Sequence, residues 1–161
     1  MHAAFYSKLG SATEVLRVGE QPTPEPGPGE VRVKLQSSGV NPSDWKARLH
    51  GRGGSIPFPL IIPQSDGAGV IDAVGNGVED GRVGKPVWLM NGQWQRPFGT
   101  AAEYICTELK YVIDLPDGVD MAEGACFGIP FLTAHRAVMF DGSVNGQTVL
   151  VQGGAGAVGH Y

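Results

Sequence analysis

The sequence predicts a mainly β barrel or sandwich domain over residues 1–128, followed at 129–161 by the opening of an α/β domain. Three observations carry this. Short alternating runs are separated by Gly/Pro turns through the first two-thirds of the chain. The texture becomes helical near residue 119. A compact β-branched run then leads straight into a glycine string.

In chain order, residues 1–6 and 14–19 are candidate strands. The stretch Pro24-Glu25-Pro26-Gly27-Pro28-Gly29 marks a loop. In 30–36, Val31, Val33 and Leu35 alternate with Arg32, Lys34 and Gln36, the period-2 signal of a half-buried strand. Asn41-Pro42-Ser43-Asp44 breaks it, and Ser43 or Asp44 caps a short helix through about Leu49. Pro57, Pro59 and Pro63 exclude a central strand over 56–63. Further strands are predicted at 68–74, 85–90, 101–107 and 111–114, with turns at Gly75-Asn76-Gly77 and Pro116-Asp117-Gly118. Asp120 and Glu123 have capping-box spacing, and Pro130 opens a second helix that Asp141-Gly142 ends. Thr148-Val149-Leu150-Val151 then reads as a parallel strand buried on both faces.

The 161 residues include 25 Gly and 12 Pro, with 42% hydrophobic residues, enough apolar content for a core. A net charge of −4 offers no basic field, which argues against nucleic acid or an anionic membrane surface as partner. No apolar run approaches the ~18 residues of a membrane span, and the N-terminal residues lack the features of a secretory signal. Cys106 and Cys126 cannot build a disulfide framework and are expected to be buried, reduced thiols, which fits a cytoplasmic location. His2, His50, His135 and His160 are scattered, and no local spacing describes a zinc site.

Gly154, Gly156 and Gly159 fit G-x-G-x-x-G directly after the predicted strand. Such glycines let the backbone approach a pyrophosphate while a following helix aims its N–H groups at the anion. The sequence stops at Tyr161, before an acidic ribose ligand ~20 residues on could occur. A lone buried strand cannot form a parallel sheet. The chain is therefore expected to be a truncated product or one piece of a larger assembly, inactive by itself.

Taken in order, Gly39-Val40-Asn41-Pro42-Ser43-Asp44, Ser65-Asp66-Gly67-Ala68-Gly69-Val70-Ile71, Gly81-Arg82-Val83-Gly84-Lys85-Pro86-Val87, Gly99-Thr100-Ala101-Ala102-Glu103-Tyr104 and Leu115-Pro116-Asp117-Gly118 resemble the medium-chain dehydrogenase/reductase superfamily. Within it the chain looks most like the zinc-free NADPH:quinone oxidoreductases of the zeta-crystallin type. The resemblance implies a GroES-like β domain to about residue 128, then a helical crossover and the first strand and glycine loop of a Rossmann domain. It also implies hydride transfer from NADPH, with NADH as the alternative, to a quinone or an activated alkene or carbonyl. The whole protein would be a cytoplasmic homodimer. Asn41, Asp44, Trp45 and Gln64 are the implied substrate-side residues. Asn41, Thr133, Gly154, Gly156, Ala157, Val158 and Gly159 are the implied cofactor residues. No residue is assigned as catalytic. Zinc alcohol dehydrogenases of this superfamily carry a Cys where Asn41 stands and Gly-His-Glu near Gln64-Ser65-Asp66, and they have a four-cysteine lobe that is missing here. Zn²⁺ prefers thiolate and imidazole, so no metal is expected. Trp45, Lys46 and His50 stand where related quinone reductases often place tyrosines, which leaves an enone acceptor open beside a quinone.

Structural roles compete with these assignments. Asn41 also suits a turn, Asp44 a helix cap, and Thr133 a bond back to a helix carbonyl. His135 also reads as a core or boundary histidine, and Trp45, Trp88 and Trp94 as packing residues. Residues 91–97 read as an exposed loop able to cover a cleft. Two other functions remain open at this level: a non-catalytic GroES-like module, and a relative of the zinc alcohol dehydrogenases.

Overall fold

The computed structural model describes residues 1–161. Its core is a five-stranded antiparallel sheet in the order β6-β3-β4-β5-β7, formed by β3 (Glu30–Gly39), β4 (Asp66–Val74), β5 (Pro86–Leu89), β6 (Tyr104–Glu108) and β7 (Val112–Asp114). A separate two-stranded ribbon of β1 (His2–Phe5) and β2 (Arg17–Glu20) is tied to the neighbouring loop segments by the isolated bridges Ala3↔Ala102 and Tyr6↔Ile61. The alternation in β3 is realised: Val31 and Val33 are buried while Lys34 and Gln36 face solvent. They pack with Ile71, Val87, Leu89, Ile105 and Val112 into the main apolar cluster. β3 slips register against β4 between Arg32 and Val33 and again between Leu35 and Ser37. Such bulges bend a long strand and sharpen its twist.

Short helices interrupt and follow the strands. α1 (Ala12–Val15) takes residues expected to start a strand, because Ser11 and Glu14 form a capping box there. The strand survives only as β2. α2 (Pro42–His50) begins at Asn41, whose N–H donates to the Asp44 carboxylate at 2.7 Å, with Pro42 in the first turn. α3 (Met121–Gly124) is capped by Asp120, whose Oδ1 accepts from the Glu123 N–H at 2.8 Å. The second helix starts earlier than Pro130. Residues Phe127–Phe131 form a π turn with Pro130 inside it, and α4 (Leu132–Met139) follows. Pro130 has no N–H to give, which removes one helical bond locally.

The strand expected at Thr148-Val149-Leu150-Val151 is not formed; these residues run without ladder partners, and Leu150 is 94% exposed. A parallel strand exists only by pairing with neighbours of its own sheet, and none is present in this chain. The glycine string forms turns over 152–155 and leads into α5 (Ala157–His160). Two further expectations are corrected. Cys126 is exposed, whereas Cys106 is buried as expected, with burial pushing its thiol up to about 12. His135 is exposed on α4, beside the Phe131 ring.

Candidate functional site

The site grows from the strand ends where β3 and β4 leave the sheet. β3 ends at Gly39, and the chain turns through Asn41 into α2; β4 begins at Asp66, directly paired with Gly39. Asp66 is fully buried and Asn41 nearly so, at 0% and 5% exposure. The Asn41 Nδ2 donates to Asp66 Oδ2 at 2.7 Å. The Ile129 N–H of the π turn donates to the same oxygen, also at 2.7 Å. Asp66 Oδ1 is buried with no partner, packed so closely on Gly128 that a Cβ there would overlap it.

Burial pushes the Asp66 carboxyl up to about 6; the bonds from Ile129 and Asn41 oppose this, and nearby Asp44 adds to it. The Asp44 carboxyl is also held above its ordinary range by burial, against the bonds it accepts from Asn41 and Ser43. At neutral pH a carboxylate that accepts two N–H bonds remains ionised despite its burial.

Above this pair lies a cleft of about 350 Å³ lined by Asn41, Pro42, Asp66, Cys126, Gly156, Ala157, His160 and Tyr161, among others. A larger neighbouring cavity of about 830 Å³ is shared by Asn41, α4 and the loop 149–153 with Gly156–Tyr161. The glycine loop and Asn41 therefore face one space. The Tyr161 hydroxyl donates to the Cys126 carbonyl at 3.3 Å across it.

The remaining sequence-predicted residues are more dispersed. Asn41, Gly156, Ala157, Val158 and Gly159 line these two cavities, whereas Gly154 lines neither. Thr133 lines a separate cleft with Met90, Asn91 and Ile129. Gln64, at φ 76°, accepts a hydrogen bond from the Ser38 hydroxyl, within a polar cluster that includes Thr100. The cap of α2 is Asn41, not Ser43 or Asp44 as the sequence predicts; Asp44 lies inside the first turn, where its carboxylate accepts the Asn41 backbone N–H. Trp45 is 44% exposed on α2, with the Lys46 ammonium over its ring. Trp88 is a packing residue, edge-on to Phe127. Loop 91–97 is not simply exposed: Gln93 is buried, accepting from Arg52 and donating to the Arg96 carbonyl.

Sequence reasoning assigned no role to Asp66, Gly128 or Ile129. One signal was available: Asp66 is an acid at the head of an otherwise small and apolar strand, Gly67-Ala68-Gly69-Val70-Ile71. An ionisable group there must find donors or remain unpaired in the interior.

This β domain, opening into a cleft faced by a glycine loop, defines a class. Residues 27–117 match the alcohol dehydrogenase GroES-like domain, and the chain belongs to that family, within the medium-chain dehydrogenase/reductase superfamily. Its similarity to the chloroplastic quinone-oxidoreductase homolog of Spinacia oleracea is 32% identity over 169 aligned positions, covering 100% of this chain and 50% of that protein. Among solved structures, an alcohol dehydrogenase superfamily protein from Novosphingobium aromaticivorans superposes with a TM-score of 0.86 at 32% identity, over 99% of this chain and 48% of that one. A mycobacterial protein solved as a complex with NADPH superposes with a TM-score of 0.76 at 27% identity, over 99% and 47%. The chain spans about half the length of the curated relatives it matches. No helix is long and apolar enough to cross a membrane.

Proposed function

We propose that this chain forms the acceptor-side part of an oxidoreductase that moves a hydride from NADPH to a quinone, or to an activated alkene or carbonyl, without a metal ion. The observation that carries the reading is the shared cleft, in which Asn41 and the loop Gly156-Ala157 face the same space above the buried Asp66. The quinone-oxidoreductase name of the spinach relative and the NADPH complex of the mycobacterial neighbour support the acceptor and the cofactor.

The residues present fit a dinucleotide. A Cβ at Gly159 would overlap the Gly153 carbonyl, so only a glycine lets the loop fold back on the first turn of α5. That turn begins at Gly156, and the N–H groups that follow are the natural donors to a pyrophosphate. NADPH, when bound, supplies the hydride. The chain's own part is to place the acceptor and keep water away. Asn41 offers a fixed carboxamide, which Asp66 holds while Asp44 holds the Asn41 backbone N–H, and Pro42, Pro130 and Ala157 supply apolar wall. The donor set does not suit zinc. Asn41 has only its amide oxygen to offer, a poor zinc ligand beside thiolate or imidazole, and no group of three or more His, Cys, Asp or Glu is gathered in this chain.

The test uses the complete polypeptide that carries these residues. It is expected to consume NADPH in the presence of a quinone or an enone, and to do so equally well after dialysis against a chelator. Failure to bind NADPH, or activity that disappears with the chelator and returns with zinc, overturns the reading.

A further inference from the structure

We propose that Asp66 is the positioning residue of the Asn41 cleft: its buried carboxylate sets the plane of the Asn41 carboxamide and seats the 127–131 π turn against it through the Ile129 N–H. The inference rests on the functional reading above and names a residue that acts on ligands only through others. Three observations carry it. The two bonds bring together on a single oxygen chain segments 25 and 63 residues away from Asp66 in sequence: Asn41, which lines the cleft, and the π turn, which lines it through Pro130. The carboxylate occupies the space that any side chain at position 128 would need. The opposite side is equally tight, since a Cβ at Gly39 would overlap the Ala125 carbonyl and stand 3.2 Å from the Asp66 Cβ.

Stability alone does not account for such a residue. A buried carboxylate with one oxygen unpartnered is costly, and an apolar side chain at the same place would avoid that cost. What the carboxylate provides is an acceptor with two fixed donors, and so one arrangement of both walls. π turns within helices recur at functional sites, and this one is held to the cleft by the bond to Asp66.

Protonation would weaken this acceptor, because a carboxylic acid has less negative charge to share between two N–H groups. The charged group that acts on Asp66 is Asp44, from α2. Across the cleft the titratable groups are Cys126, His160 and Tyr161; the π turn Phe127-Gly128-Ile129-Pro130-Phe131 brings none.

The experiment compares the complete wild-type polypeptide with Asp66→Asn, which keeps the shape but sets an amide among donors. Asp66→Asn is expected to lower kcat/KM by roughly ten- to a hundredfold, to abolish the acid limb of the pH profile near 6, and to speed amide exchange over 127–131. Unchanged kcat/KM overturns the proposal. So does a loss that comes with a lower melting temperature but an unaltered pH profile, since that describes a residue that is only structural. Gly128→Ala, which displaces the same carboxylate from the other wall, serves as second variant and must reproduce the altered profile. Should neither variant fold, exchange in the wild-type protein decides: protection over 127–131, corrected for intrinsic rates and taken relative to the β3 and β4 amides, must fall as the pH drops through 6, and relative protection that does not fall overturns the proposal. An inactive wild-type protein would sink the functional reading alone, because exchange still judges Asp66.

Discussion

At the scale of single residues, the balance at Asp66 fixes a measurable pH dependence. Its carboxyl titrates at about 6 in the fold against an ordinary 3.8, with burial the largest cause. The native state thus holds this proton more tightly than the unfolded chain. The stabilisation is fully present below about pH 4, and it is lost as the pH rises through about 6. The size is about 3 kcal/mol. Because other groups titrate too, the quantity to measure is the difference in unfolding free energy between wild type and Asp66→Asn. It is expected to shift in favour of wild type between pH 7 and pH 4 and to be flat below that. A difference independent of pH would mean that the carboxylate is far better solvated than its burial implies. The sequence revealed that residues 65–71 belonged to a motif but not this role. The donors to Asp66 come from 25 residues before and 63 after, and no local pattern encodes that meeting.

At the scale of elements, β6 shows both what alternation reveals and what it hides. Ile105 and Thr107 stand two apart and are both fully or nearly fully buried, so Thr107 occupies a core position on this strand. Its Oγ1 has no hydrogen-bond partner. Thr107→Val keeps the shape and removes a hydroxyl that lost its water on folding. It is expected to raise unfolding free energy by about 1 kcal/mol, read as a higher urea midpoint at unchanged slope. A lower midpoint would show that the hydroxyl is satisfied. Elements whose signal is local were legible: the β3 alternation, the turns at Gly77 and Gly118 with positive φ, and the Asp120 cap all appear where expected. Elements that depend on competition were not. Residues 12–15 form a helical turn because Ser11 and Glu14 cap them, although the sequence predicts a strand from residue 14, and the helix near Pro130 starts early as a π turn. Periodicity cannot distinguish these outcomes, since the same apolar residues satisfy either.

At the scale of the whole molecule, the two ends of the chain differ in what holds them. Every strand of the sheet pairs with a neighbour in this chain, whereas Thr148–Val151 carries the composition of a buried strand and pairs with nothing; Val149 and Val151 are about half exposed and Leu150 almost wholly so. Few backbone bonds fall between 143 and 156, namely Gln147 N–H to the Val144 carbonyl and Gly156 N–H to that of Gly153. The β-branched run was legible as a strand because strand propensity is written in the residues. Its failure to form was not, because pairing is a property of neighbours. Amide exchange separates the two. In the 161-residue chain, amides of 148–152 are expected to exchange as in an unstructured peptide while those of β3 and β4 stay protected. In the complete polypeptide the same amides are expected to gain protection, because a parallel strand with partners on both sides closes every ladder bond. Protection already present in the 161-residue chain, and rising with concentration, would instead mean that copies pair through this exposed run.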